Sequence, residues 1–161
     1  MDIMFIVIGV LLLAVAVVLA FMPKPWSAPV AWIGLFMLVI GDVVDASWGT
    51  MVFWGIAALI AWGINIMLPK SVASSPVGVG YITGAALAGT VVGMLLGNAG
   101  MIIGAVIGAF CGGMAFSRTP AGVNLRFPSR QFMNYLCAKG FPAIITACIA
   151  GEAFVLLHLV Y

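Results

Sequence analysis

The chain has 161 residues, of which 65% are hydrophobic and only 6% are charged, and its net charge at neutral pH is +2. A soluble domain carries about 25% charged residues, so this composition cannot build a surface that faces water all round. The small net charge, without a basic patch that carries interleaved aromatic residues, also excludes a nucleic-acid-binding protein, so no nucleic-acid partner is expected. At about 20 residues per membrane-spanning helix, the chain has room for five or six spans.

The N-terminal part of the chain is predicted to form three apolar spans. Residues 3–22 form the first, an uncharged run that is too long for a signal peptide and has no Lys or Arg before it, so we expect it to be retained. Three prolines in the segment PKPWSAP end this helix. The second span, residues 29–44, is the shortest, and Asp42 and Asp45 mark its boundary. Whether this span crosses the membrane completely is left open by the sequence. The third span covers residues 48–68.

Two glycine-rich helices are predicted next, over residues 78–96 and 100–116. The segment GNAG divides them, since Gly97 can end one helix in the left-handed conformation and Asn98 can cap the next. Helices joined by so short a turn are antiparallel neighbours. The pattern therefore predicts a helical hairpin at the centre of the chain.

The C-terminal part is predicted to contain an interfacial segment and a last span. Residues 129–139 alternate apolar and polar faces, which is typical of a helix that lies in the membrane interface. Residues 141–160 form the last span, with Pro142 in its first turn, where proline is tolerated. The predicted fold is a single transmembrane domain over residues 1–161, all-α and polytopic, with about six transmembrane helices and a central glycine-zipper hairpin.

Small residues recur at intervals of four in the hairpin and indicate close helix packing. In lipid, helices associate through such residues because apolar surface gains little by leaving the hydrocarbon. One repeat lies on the second hairpin helix, and two lie on roughly opposite sides of the first: Gly80, Gly84 and Ala88, and Ala85, Gly89, Gly93 and Gly97. The predicted helix-packing residues are Gly80, Gly84, Gly89, Gly93, Gly97, Gly100, Gly104, Gly108 and Gly112. A nucleotide-binding loop is the rival interpretation, but no GxGxxG occurs.

The charged residues predict the orientation of the spans. With six spans, all cations fall on one side and three of the four acids fall on the other; the cations are Lys24, Lys70, Arg118, Arg126, Arg130 and Lys139, and the acids are Asp2, Asp42 and Asp45. Positive loops are cytoplasmic. We therefore expect a multi-pass membrane protein with both termini outside the cytoplasm.

Several segments together resemble a known family. They are the break MPKPWSAP with AWIGLFML after it, the paired glycine repeats joined by LGNAGMIIGAVIGAF, and the closing stretch FMNYLCAKGFPAI. The chain resembles the bacterial small membrane proteins of domain-of-unknown-function family 456, which are glycine-zipper proteins. The resemblance implies the helical architecture and carries no biochemical activity. The chain departs from the family at Trp26 and Ser27, where a proline–glycine pair is usual, and at CGGMAF, where an acidic residue commonly ends the second repeat.

The polar residues within the spans are few. Glu152 is the one acid well inside a predicted span, where a charge is expensive, so we expect it to be neutral or to have a donor such as Asn65, Thr83, Thr90 or Thr146. Glu152 and Asn65 are the predicted intramembrane polar residues. His158 is expected in the outer headgroup region. The three cysteines lack metal or haem spacing, and no nucleophile has a base at a recognisable distance, so we expect no catalytic residue, metal or cofactor.

These patterns favour a non-enzymatic integral membrane protein that contacts membrane lipid. Its glycine-zipper hairpin would drive self-association into a homo-oligomer, or docking to a larger membrane complex. The alternative is a channel or transporter for a small solute, ion or lipid, with Glu152 as its intramembrane polar element. An intramembrane enzyme is a distant third.

Overall fold

In the computed structural model, residues 3–22, 24–68 and 76–160 are described, and all regular secondary structure within them is helical. Asp2 and Lys70, on which part of the predicted orientation rests, lie outside the described residues. The helices are α1 Ile3–Ala20, α2 Ser27–Ile40, α3 Trp48–Met67, α4 Pro76–Met94, α5 Gly97–Ser117 and α6 Arg130–Val160, with a short 3₁₀ helix, Pro120–Leu125, before α6.

Five of these helices are long and apolar enough to cross a membrane, which confirms the prediction of an all-α, multi-pass membrane protein. The sixth apolar helix, α2, has only 14 residues and is about 21 Å long, against a hydrocarbon thickness of about 30 Å. After α2 the chain turns at Gly41 and Asp42 and continues as irregular backbone, where Val43 and Val44 are buried. Irregular backbone at membrane depth is tolerated where protein covers it.

Although α2 is short, it returns the chain almost to the level at which α1 begins. A Cβ added at Gly9 would lie 2.8 Å from the Leu38 side chain, and a Cβ added at Gly41 would lie 3.2 Å from Cβ of Phe5. Later residues of α2 therefore contact earlier residues of α1, so the two helices are antiparallel. The close approach uses Gly9 and Gly34, a glycine pair that the sequence repeats did not single out.

Helix α6 is the centre of the bundle, because it packs against each of the other five α-helices. It runs for 31 residues with Pro142 inside it, so the prediction that Pro142 lies in the first turn of a separate span is wrong. The predicted interfacial segment, residues 129–139, differs in the same way. Phe132, Tyr135 and Lys139 are buried, whereas Arg130, Gln131 and Met133 are exposed. This segment is therefore the first part of α6 and packs one face against the bundle.

The path of the helices separates the charges to two ends of the bundle. The connection between α2 and α3 carries Asp42 and Asp45, and the turn between α4 and α5 lies at the same end, because Ser47 and Asn98 line one cleft. This is the acidic end. The opposite end, the basic end, holds Lys24 after α1 and Arg118, Arg126 and Arg130 around the connection from α5 to α6. Lys139, which was predicted in that connection, lies inside α6 and is buried.

Candidate functional site

The backbones of α4 and α5 are so close that several glycines have no room for any side chain. A Cβ added at Gly89 would lie 2.8 Å from the carbonyl carbon of Gly104 and still closer to its oxygen. A Cβ added at Gly93 would lie 2.7 Å from the carbonyl carbon of Gly100. Real Cβ atoms do not approach backbone at such distances. Glycine is therefore required at these positions by the contact between the two helix backbones.

The contacts run in one antiparallel register along the whole hairpin. Carbonyl groups of α4 face glycines of α5 in successive pairs: Gly93 with Gly100, Gly89 with Gly104, Ala85 with Gly108 and Tyr81 with Gly112. We call Ala85, Gly89 and Gly93 the hairpin stripe of α4. Gly97 makes the turn, with a φ of +85° that favours glycine, as predicted. The prediction that Asn98 caps α5 is wrong, because α5 begins at Gly97 after Leu96 and has no side-chain cap.

The other repeat of α4 has a different environment. An added Cβ at Gly80 or Gly84 would meet no heavy atom within 4 Å, and Ala88 is exposed. Val77 and Val91, which lie on the same side of the helix, are 57% and 62% exposed. We call Gly80, Gly84 and Ala88 the open stripe. Of the nine predicted packing glycines, six lie in the α4–α5 contact, and Gly80 and Gly84 lie on a face that no described residue covers. The prediction that Gly97 is a packing residue is wrong, because an added Cβ there would meet no heavy atom within 4 Å and Gly97 makes the turn instead.

Glu152 has a partner that the sequence did not reveal. The indole Nε1–H of Trp54 donates a hydrogen bond to Oε2 of Glu152 across 98 positions of sequence, and both side chains are buried. None of the four donors proposed from the sequence bonds to this carboxyl. The hydroxyls of Thr83 and Thr90 donate to the carbonyl oxygens of Ala20 and Ala86.

A cleft of about 430 Å³, lined by both polar and apolar side chains, reaches Glu152 from the acidic end. Trp54 is six residues into α3, so the carboxyl lies about 9 Å from the level at which α3 starts. This depth is shallower than a mid-span position. We call this cavity the Glu152 cleft. Its polar groups are two hydroxyls, an amide, an indole and the carboxyl of Glu152. The full lining is Ser47, Gly49, Thr50, Phe53, Trp54, Asn98, Met101, Ile102 and Glu152.

The side chain of Asn65 donates a hydrogen bond to the backbone of α6. Its Nδ2 donates to the carbonyl oxygen of Ala138 at 2.6 Å, about 16 Å along α3 from Trp54. Ala138 is four residues before Pro142, and proline has no N–H to donate to the carbonyl at that position. Asn65 thus supplies the donor that Pro142 lacks, which explains how α6 continues through a proline in an apolar environment.

A double-mutant cycle tests this role of Asn65. Asn65→Ala is expected to lower the free energy of unfolding by about 1 kcal/mol, since it leaves a buried carbonyl unpaired. In a Pro142→Ala background the loss is expected to fall to a small fraction of that, because the restored N–H at position 142 bonds to Ala138. Denaturant unfolding in detergent measures both. Equal losses in the two backgrounds would contradict the assignment.

His158 and the three cysteines do not line the Glu152 cleft. His158 is exposed and stacks on Phe154, with ring centroids 6.4 Å apart, and the three cysteines are free thiols. Within the described residues, no group of three His, Cys, Asp or Glu side chains could hold a metal ion.

Comparison of the chain with family models, with curated proteins and with solved structures gave no match. The resemblance to family 456 stays a prediction. The fold and the site together define a multi-pass helical membrane protein with a close-packed glycine hairpin contact and the Glu152 cleft at one end of its bundle.

Proposed function

We propose that the chain is a non-enzymatic integral protein of a bacterial inner membrane, of the kind that family 456 represents, and that it self-associates. The α4–α5 hairpin is a glycine zipper in this proposal. Its hairpin stripe holds the two helices of one copy together, and its open stripe contacts α4 of a second copy. The observation that carries the proposal is the open space at Gly80 and Gly84.

Within one copy, nothing in the described part of the chain offsets the cost of glycine at Gly80 and Gly84. Glycine is less favourable than alanine in a helix by about 1 kcal/mol in soluble hosts. At Gly89 and Gly93 the cost is offset by backbone contact, but at Gly80 and Gly84 an alanine would fit without touching another residue. A neighbouring helix that packs against the open stripe supplies the missing reason, since small residues at intervals of four let two helices approach closely in lipid.

Cysteine cross-linking in native membranes tests this contact. In a chain without the native thiols, Ala88→Cys is expected to form a disulfide-linked dimer on mild oxidation, because parallel copies of α4 place position 88 opposite itself. Val106→Cys on α5 is the matched control, since the hairpin register puts it at nearly the same depth and it is 48% exposed. Cross-linking of Val106→Cys alone would contradict the proposed surface.

The proposed orientation has six crossings, with the basic end in the cytoplasm and both termini outside. It is supported by the return of α2 to the level of Phe5 and by the separation of charge between the two ends. In the same background, Asn124→Cys is expected to react with an impermeant thiol reagent only from the cytoplasmic side, and Ser47→Cys only from outside. Reaction of both from one side would refute the orientation.

A second candidate function is favoured by the Glu152 cleft. A carboxyl that lines a cleft at one end of the bundle could bind a cation or accept a proton, as in a transporter for a small solute or ion. No second acid accompanies it within the described residues, since the other described acids, Asp42 and Asp45, do not line the cleft. Self-association therefore remains the first proposal.

A further inference from the structure

A basic pocket of about 360 Å³ lies at the C-terminal end of α5 and shares no lining residue with the Glu152 cleft or the open stripe of α4. It forms where the chain leaves α5 and folds back through the short 3₁₀ helix. Gly122 makes this fold possible, since an added Cβ there would lie 2.8 Å from the carbonyl carbon of Phe116. The pocket is lined by Met114, Ser117, Arg118, Val123, Arg126 and Phe127.

The two guanidinium groups of this pocket have no carboxylate near them among the described residues. Asp42, Asp45 and Glu152 all belong to the acidic end of the bundle. The distance is large, because Asn98 in the Glu152 cleft and Arg118 are separated by twenty residues of α5, or about 30 Å. An anion that enters the pocket therefore meets positive charge that no described acid neutralises.

Apart from Ser117, whose hydroxyl donates to the carbonyl oxygen of Met114, the rest of the lining is apolar. Val123 and Phe127 are 50% and 49% exposed, and the ring of Phe127 is held edge-on against Phe110 and Phe132. Helix α5 is about 32 Å long, close to the thickness of the hydrocarbon core, so Arg118 directly after it lies at the level of the lipid headgroups. A free inorganic anion would gain nothing from the valine and phenylalanine side chains.

We propose that this pocket binds an anionic phospholipid, with the phosphate group between Arg118 and Arg126 and the glycerol and upper acyl carbons against Val123 and Phe127. Guanidinium groups suit phosphate because their N–H groups form paired, charge-assisted hydrogen bonds. Basic pockets between membrane helices are a known form of headgroup site. The lipid would hold the connection from α5 to α6 at the membrane surface.

Lipid titration of the purified full-length protein tests the site. In a neutral detergent, phosphatidylglycerol is expected to raise the melting temperature of the wild type, whereas phosphatidylcholine raises it much less. Arg118→Gln and Arg126→Gln are each expected to weaken the phosphatidylglycerol response roughly fivefold in the lipid concentration required. Arg130→Gln is the matched control, because it removes the same charge from an exposed position outside the pocket and should leave the response unchanged.

Three results would overturn the proposal. An equal loss in Arg130→Gln would show general attraction to a basic surface. A full response to inorganic phosphate alone would show a site for a free anion. An unchanged response in Arg118→Gln and Arg126→Gln, with melting temperatures near that of the wild type before lipid is added, would show that the pocket does not bind the lipid.

Discussion

Replacing Gly89 by isoleucine is expected to prevent folding of the α4–α5 hairpin, whereas the same replacement at Gly84 is expected to leave a folded protein. The two glycines lie five residues apart on one helix. At Gly89 even the first carbon of a side chain would overlap the backbone of Gly104, and backbone in a helix cannot move aside as a flexible side chain can. Overpacking usually costs about 1–3 kcal/mol, and we expect more than that here because every close atom is backbone.

The measurement is the yield of monodisperse, protease-resistant protein in mild detergent, together with its melting temperature. Alanine at the same positions gives a graded version of the test. Gly89→Ala is expected to lower the melting temperature because Cβ alone meets Gly104, whereas Gly84→Ala is expected to lower it much less, because its Cβ meets no heavy atom of the same copy. A Gly84→Ile protein that fails to fold would show that the open stripe is covered within one copy.

Replacing Glu152 by alanine is expected to destabilise the bundle, whereas Glu152→Gln is expected to leave its stability close to that of the wild type. The indole N–H of Trp54 can only donate, and Trp54 is 5% exposed, so loss of the acceptor leaves a buried donor unpaired at a cost of about 1–3 kcal/mol. Glutamine keeps a side-chain oxygen that accepts the bond. Unfolding in detergent measures both variants.

Trp54→Phe provides the control for this prediction. Phenylalanine removes the donor and keeps much of the aromatic volume, so Glu152→Ala should cost less in a Trp54→Phe background than alone. An undiminished cost would show that the hydrogen bond is not the reason. If Glu152→Gln retains stability and assembly but loses a cellular phenotype that the wild type supports, the carboxyl itself is needed, and the transport function becomes the better proposal.

The hairpin could be predicted from the sequence because all its determinants are local. The four-residue spacing of glycines gives the contact, and Gly97 gives the turn. The sequence could not decide which stripe of α4 faces α5, since both have the same small residues. That choice depends on the register, which places Gly89 and Gly93 inside and leaves Gly80 and Gly84 outside.

The site around α6 could not be predicted because its partners are distant in sequence. In the sequence, Pro142 is typical of the first turn of a helix. It is tolerated inside α6 because the side chain of Asn65, on another helix, donates to the carbonyl oxygen that Pro142 leaves without a donor. Likewise, the alternation of apolar and polar faces over residues 129–139 did not reveal that Lys139 is buried against the bundle. Nothing near Glu152 in sequence pointed to Trp54.

The mass of the protein gently extracted from its own membranes tests the central claim of self-association most directly. The wild type is expected to have the mass of two or more copies of the 16.8 kDa chain after the bound detergent and lipid are accounted for. Gly84→Ile, folded by the criteria above, is expected to have the mass of one copy. A wild-type particle that contains a single copy of the chain, or a Gly84→Ile particle with the wild-type number of copies, would contradict the account.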